Sequence, residues 1–257
     1  MTKNEVAGHS NQNKVSKTRI DVLLVERNLV DSRHKAQSYI MAGIVLANGH
    51  RIDKPSVQVP RDVSIHIKLA PYQWVGRGGI KLEKALKEFH IQTENKICMD
   101  VGCSTGGFCD CLLYYGASKI YAIDVGTNQL DWKIRQDKRV IVMEKTNFRY
   151  LRPSRISDPI DLCVIDVSFI GLSIILPHAV AFMKRNSDII ALIKPQFELG
   201  RNDIPRGGVI KDSKLHRKAV EKVQTLCKNL SLDIQGVIPS PISGAKGNTE
   251  FLIHVKT

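Results

Sequence analysis

The 257 residues predict a Rossmann-like α/β fold, a seven-stranded and mostly parallel sheet ending in an antiparallel hairpin, preceded by a small α+β module. Three observations carry this expectation. From Ile97 onward, short apolar runs alternate with stretches of helical period, the pattern of a doubly wound sheet. The last two runs are separated by only eleven residues, 239–249, rich in Pro, Ser and Gly, which is too short and irregular for a crossover helix. Ahead of Trp74, two short helical faces lead into alternating strands.

Taken in order, residues 1–18 are polar and basic without an apolar segment, and read as a flexible leader rather than a signal peptide. Residues 20–29 carry apolar side chains on a helical face, and Asp31 and Ser32 offer caps for a second helix from Arg33 to Ala42 that Gly43 closes. Ile44 to Leu46 read as a strand and Asn48–Gly49 as a tight turn; Val63, Ile65, Ile67 and Leu69 alternate with Ser64, His66 and Lys68 as a half-buried strand. These elements form a module over 19–70, small enough to be marginal alone. The Pro, Gly and aromatic content that follows predicts an ordered linker over 71–78.

The larger domain, 79–257, opens with a helix near Gly79 whose Leu82, Ala85, Leu86 and Phe89 share one face. Strands are expected at Ile97–Val101, Lys119–Asp124, Val140–Glu144, Asp161–Asp166, Asp188–Lys194, Asp233–Ile238 and Glu250–Val255, with helices at Gly107–Tyr115, Leu172–Lys184 and Ser213–Asn229. Seven strands ending in a hairpin is the shape of class I methyltransferases.

Charge points to the partner. The 38 Lys and Arg exceed the 25 Asp and Glu by 13, and such an excess attracts a polyanion over long range. Arg33, His34 and Lys35 cluster at a helix start, where phosphates could meet them. No apolar run approaches the roughly 20 residues that span a bilayer, so the expected compartment is the cytoplasm. The six cysteines lie in no paired CxxC arrangement; buried reduced thiols are expected and no metal site.

The chemistry is expected beyond the carboxyl ends of the strands. Asp100 to Phe108 (DVGCSTGGF) is a small-residue turn between a strand and a helix, and Asp124 ends the next strand, where it would hold a ribose hydroxyl pair. The turn lacks the Lys of a P-loop and the GxGxxG spacing of dinucleotide binders, which favours an S-adenosylmethionine-type loop. Asp166 and Lys194 each end an apolar strand and would deliver opposite charges into one crevice.

With WVGRGGIKL from Trp74, DVGTNQL from Asp124, DVSFI from Asp166, KPQFE from Lys194 and SPISGAKGNTEF from Ser240, the chain resembles the TlyA (haemolysin-A-like) ribosomal RNA methyltransferases over about residues 19–256. It departs from their pattern at Gly76, Cys103, Thr127, Asn128 and Gly171. The resemblance implies an S-four-type RNA-binding domain followed by an FtsJ-like domain, and 2′-O-methylation of cytidine in 16S or 23S ribosomal RNA, or both, within ribosomal subunits and without an obligate protein partner. It implies a catalytic tetrad of Lys81, Asp166, Lys194 and Glu250. The S-adenosylmethionine site falls on Asp100, Gly102, Ser104, Thr105, Gly106, Gly107, Phe108, Asp124, Val125, Gln129, Leu130, Asn147 and Asp166. RNA contacts fall on Arg19, Arg33, His34, Lys35, Arg51 and Arg77.

A ribose 2′-hydroxyl is a weak nucleophile, and the sulfonium methyl needs in-line attack, so the site must position the hydroxyl and deal with its proton. Lys194 is the candidate, either as general base or as a charged group that stabilises the alkoxide. Two other classes compete: a membrane-active haemolysin, which the family's older name suggests, and a catalytically silent RNA-binding or assembly factor.

Overall fold

Ile20, Leu23 and Leu24, and then Ala36 and Ile40, are spaced to share helix faces, and in the computed structural model they do. The structure describes residues 16–30, 32–41, 43–67 and 74–257, and the chain divides into two units, 1–71 and 72–257. The first unit contains β1 (Lys17–Arg19), α1 (Ile20–Glu26), α2 (Arg33–Met41), β2 (Val45–Ala47), β3 (His50–Arg51), β4 (Gln58–Pro60) and β5 (Ile65–Ile67). β1 pairs with β4, and β2 lies between β3 and β5; every pairing is antiparallel. Asn48 and Gly49 turn β2 into β3 with both φ angles positive, 49° and 79°, as a two-residue hairpin loop requires. The core beneath is Ile20, Leu24, Ile40 and Val45, all fully buried, with Val59 and Val63.

Several expectations change here. Lys17 and Thr18, read as leader, pair with Pro60 and Val59; the short polar strands β1, β3 and β4 are held by these cross-strand bonds and carry little pattern of their own. Ser32 supplies the α2 cap, its Oγ accepting from Lys35 N at 3.2 Å. The first predicted strand sits one residue later, and the Val63–Leu69 strand is seen as Ile65–Ile67. Residues 1–15 of the leader, Asp31, Ala42, Lys68, Leu69 and residues 71–73 of the linker lie outside the described residues.

Asp21 organises this unit. Its carboxylate is fully buried and accepts from Arg19 Nε (2.9 Å) and Nη2 (3.0 Å), Arg33 Nε (2.9 Å) and Gln37 Nε2 (3.1 Å), tying the end of β1 to the start of α2. The Arg19 bonds, against the opposing effect of burial, hold the carboxyl well below its ordinary range.

In the second unit, α3 (Gly78–Glu88) precedes β6 (Ile97–Val101), α4 (Gly107–Tyr114), β7 (Lys119–Ile123), α5 (Trp132–Arg135), β8 (Val140–Met143), β9 (Ile160–Ile165), α6 (Leu172–Val180), β10 (Met183–Ile193), α7 (Pro195–Glu198), α8 (Ser213–Asn229), β11 (Asp233–Pro239) and β12 (Phe251–Lys256). The strand order is β11-β12-β10-β9-β6-β7-β8, with β12 antiparallel to both neighbours and the pairs from β10 to β8 parallel. Alternate residues feed two cores. Cys98, Leu162, Val164, Ile190 and Leu192 face Leu82, Leu86 and Leu112 of α3 and α4, while Met99, Cys163, Ile165, Ile189 and Ala191 face Leu172, Ile175, Val223 and Cys227 of α6 and α8. All six cysteines are buried and unpaired.

α6 stops at Val180 rather than reaching Lys184, because Met183 pairs with Ile160 and a register shift before Asp188 absorbs the left-handed Asn186 (φ 57°). The single-turn helices α5 and α7 are too short to show a period. Among the described residues, no helix is long and apolar enough to cross a membrane.

The Asp21 cluster yields one test. Asp21→Ala should destabilise the first unit by about 1–3 kcal/mol, since two partly exposed guanidiniums regain water while Gln37 loses a buried partner. The depressed carboxyl contributes stability that is present above its unfolded pKa of about 4 and is lost as the pH falls below it. Amide exchange across α1 and α2 should show both effects.

Candidate active site

Four strand ends meet at one edge of the sheet. The parallel strands β6, β7, β9 and β10 arrive there at their carboxyl ends and deliver Asp100, Asp124, Asp166 and Lys194. β12 runs the other way, with Phe251 opposite Ile193, so the residue just before it, Glu250, reaches the same edge. α3 adds Lys81 from the adjoining face.

The side chains close into a chain of charges. Glu250 Oε2 lies 2.6 Å from Lys81 Nζ, Lys81 Nζ lies 3.5 Å from Asp166 Oδ2, and Asp166 Oδ1 lies 2.6 Å from Lys194 Nζ. Lys194 also donates to Ser168 Oγ at 3.0 Å. Lys81, Lys194 and Glu250 are buried. Such charges persist away from water only when paired. Burial opposes ionisation of Asp166, but the two ammoniums outweigh it and keep its carboxyl below the ordinary range.

Beside the tetrad lies the loop from Asp100 to Phe108. Gly102 (φ 88°) passes so close to β9 that a Cβ there would stand 2.6 Å from the Asp166 carbonyl oxygen, so only glycine lets these two strand exits touch. Asp124 holds the loop from the next strand: Oδ2 accepts from Ser104 N at 2.8 Å and Oδ1 from Gly126 N at 2.7 Å. Each oxygen keeps a further lone pair for a ribose hydroxyl. Ser104 Oγ donates to Gln129 Oε1 at 3.4 Å, and Thr105 O accepts from Asp131 N, which fastens the loop to the segment after Asp124. Gly106 precedes α4, Gly107 is its first residue, and Phe108 and Leu130 are buried beneath. Val125 is exposed, and the Asn147 side chain accepts from Arg149 N at 3.1 Å just beyond β8.

Asp100 is the unusual member. It is fully buried, its Oδ2 accepts from the Cys109 thiol at 3.1 Å, and its Oδ1 has no partner. Burial, with Asp166 and Asp124 as nearby like charges, pushes its pKa up to about 7. An unpartnered acceptor beneath a backbone cradle fits a ligand carrying N–H or O–H donors, such as the amino acid end of S-adenosylmethionine.

The six expected RNA-contact residues divide between the two units. Five lie in the first unit, where Arg19 and Arg33 are engaged by Asp21 while His34 and Arg51 are exposed and Lys35 is half-buried. Arg77 belongs to the second unit and donates to Ser243 O at 2.9 Å. Sequence reasoning overlooked Ser168 and Phe169. Phe169 is 91% exposed on a left-handed backbone (φ 66°), with its ring 5.3 Å from that of Phe197. The DVSFI segment held the signal, an aromatic three residues past a site acid.

Asp100 makes stability fall with pH. The unfolded carboxyl loses its proton near pH 4 and the folded one near 7, so the folded state binds the extra proton in this window. In protein without added ligand, the loss should be on the order of a few kcal/mol between pH 4 and pH 7. Asp100→Asn should flatten that component in urea titrations at a series of pH values.

Comparison with known proteins fits this geometry. A family model described as FtsJ-like methyltransferase matches residues 74–257, and one described as S4 domain matches residues 18–65. A Bacillus subtilis protein named "Putative rRNA methyltransferase YqxC" is 48% identical over 240 residues, 93% of this chain and 85% of that protein. The "16S/23S rRNA (cytidine-2'-O)-methyltransferase TlyA" of Mycobacterium tuberculosis is 40% identical over 242 residues, 94% of this chain and 90% of its own length. A solved structure, "Putative hemolysin from Streptococcus thermophilus", is 42% identical with a TM-score of 0.75, covering 95% of this chain and 89% of that one. The chain therefore belongs to the FtsJ-like methyltransferase family, with an S4 domain ahead of its catalytic domain.

Proposed function

We propose that this enzyme transfers the methyl group of S-adenosylmethionine to the ribose 2′-hydroxyl of a cytidine in ribosomal RNA, in the cytoplasm, with Lys81, Asp166, Lys194 and Glu250 as its acting residues. The observation that carries this reading is the Asp166 carboxylate bridging two buried lysines at the lip of the glycine loop. The relatives named for ribosomal RNA methylation, one of them for cytidine 2′-oxygen, support the substrate.

S-adenosylmethionine supplies an electrophilic methyl on a sulfonium. The loop from Asp100 to Phe108 orients it, with Asp124 receiving the ribose hydroxyls and Asp100 the amino acid end. Lys194 takes up the 2′-hydroxyl proton as the new C–O bond forms, and Asp166 holds the resulting ammonium. Lys81, anchored on Glu250, keeps Asp166 ionised and aimed at Lys194. Phe169 offers the target base a flat apolar face beside Phe197, and stacking of this kind is worth about 1–3 kcal/mol per base.

The S4 domain, which we place at 19–70 and join through 71–78 to the methyltransferase domain at 79–257, grips the RNA. His34, Lys35 and Arg51 meet phosphates, Arg19 and Arg33 offer the outer faces of guanidiniums already fixed by Asp21, and Arg77 acts from the second unit. A phosphate grip of this kind weakens steeply with salt.

Lys194→Ala should lower the single-turnover rate on unmodified ribosomal subunits or naked RNA by about 10²–10⁴, while S-adenosylmethionine binding by calorimetry persists. Mapping of the methylated position should return a cytidine 2′-oxygen. In the unaltered enzyme, the single-turnover rate should rise with pH along a single ionisation. A flat profile would instead assign Lys194 to charge stabilisation, and near wild-type turnover by the Ala variant would remove the tetrad from the chemistry.

A further inference from the structure

We propose that Ser168 is a positioning residue of the methyl-transfer reaction: its hydroxyl, with Asp166, limits the Lys194 amine to one orientation toward the ribose 2′-oxygen. The inference rests on the reading of Lys194 as the proton acceptor. Its carrier is the second contact of that amine, the 3.0 Å bond from Lys194 Nζ to Ser168 Oγ beside the 2.6 Å pair with Asp166 Oδ1.

A lysine side chain has four rotatable bonds, and ordering it costs conformational entropy. A single ion pair leaves the nitrogen free to swing about one carboxylate oxygen. Two acceptors in different directions occupy two of the tetrahedral positions on nitrogen and leave a defined remainder. In the amine form that takes a proton, two N–H bonds point at Asp166 and Ser168 and the lone pair faces the substrate. The atoms then balance: the 2′-oxygen gains the methyl and loses its proton, Nζ gains that proton, and the sulfonium leaves as a neutral thioether.

Ser168 can hold such a position because its turn is clamped on both sides. Before it, Asp166 is held by its own N donating to Val101 O at 3.0 Å and by the two lysines. After it, the Phe169 ring packs on Phe197, and Leu172 N donates to Glu198 Oε1 at 2.9 Å. The turn that carries Lys194 is closed by Phe197 N donating to Lys194 O at 2.8 Å. The β9 and β10 exits are thus stitched through Asp166, Ser168, Phe169 and Glu198, and of these only Ser168 offers the amine an uncharged acceptor. The side chain is exposed, so its hydroxyl proton can point to water while the oxygen accepts from Nζ.

The test compares Ser168→Ala, Ser168→Thr and Lys194→Ala in full-length enzyme with unmodified ribosomal RNA substrate. Ser168→Ala should slow single turnover by about 10- to 100-fold, the scale of a misplacement near 1 Å, with unchanged RNA KM and unchanged S-adenosylmethionine Kd. Ser168→Thr retains the hydroxyl and should recover to within about threefold of the wild type. If Ser168→Ala turns over normally while Lys194→Ala is inactive, the positioning role is refuted and the tetrad stands. If Ser168→Ala raises KM with kcat intact, or Thr fails to rescue, the residue serves binding or turn shape and the proposal falls. If Lys194→Ala itself stays active, the tetrad reading fails and takes the Ser168 role with it.

Discussion

The carboxylate of Asp166, shared between Lys81 and Lys194, is the interaction on which the rest of the catalytic unit depends. Without it Lys81 would keep Glu250, but Lys194 would lose the carboxylate that its buried charge requires. With it, charge alternates from Glu250 through Lys81 and Asp166 to Lys194, and each group neutralises its neighbour. The sheet supplies the geometry. Parallel strands bring Asp166 and Lys194 to one edge, and the reversed last strand brings Glu250 there from the opposite direction.

The glycine loop and the tetrad are one construction. The backbone at Gly102 runs so close to the carbonyl of Asp166 that no side chain fits between them, so the loop and the strand exit that holds Lys194 are set against each other. Asp124 uses both carboxylate oxygens to hold backbone amides of the loop and of the segment after β7, which fixes the cradle without a ligand. Binding to a surface already ordered loses less entropy than binding to a mobile one. Asp100 has the opposite character: buried, half-satisfied and pushed up to about 7, it is a strain that a donor group can relieve.

Much of this was legible in the chain. Ile97–Val101 and Ser213–Asn229 appear with the expected bounds because the first is a short buried run that stops at a small-residue turn and the second a long amphipathic helix, and the residues quoted for the tetrad come together because each sits one step outside a strand or on the amphipathic helix α3. What was not legible depends on partners distant in sequence. β1 and β4 are three-residue strands whose only warrant is each other. Arg19 and Arg33 read as open cations, yet a buried Asp21 inside an apolar run claims them; no local pattern separates that aspartate from a solvated one. Ser168 and Phe169 look like ordinary loop residues until the turn after β10 is packed against them.

The direction of β12 has a further consequence. Lys81 and Glu250 are separated by 169 residues, so the ion pair that supports Asp166 joins nearly the first residue of the catalytic unit to nearly the last. Contacts of such long range form late, after most of the chain has lost its freedom. A slip of one residue in the β10–β12 ladder would turn Glu250 to the other face of the sheet. A sheet folded only as far as β10 would hold Asp166 against Lys194 while Lys81 still lacked Glu250. Completion of the ion chain thus waits for β12, and the Lys81–Glu250 pair is itself a report that the register of that strand is right.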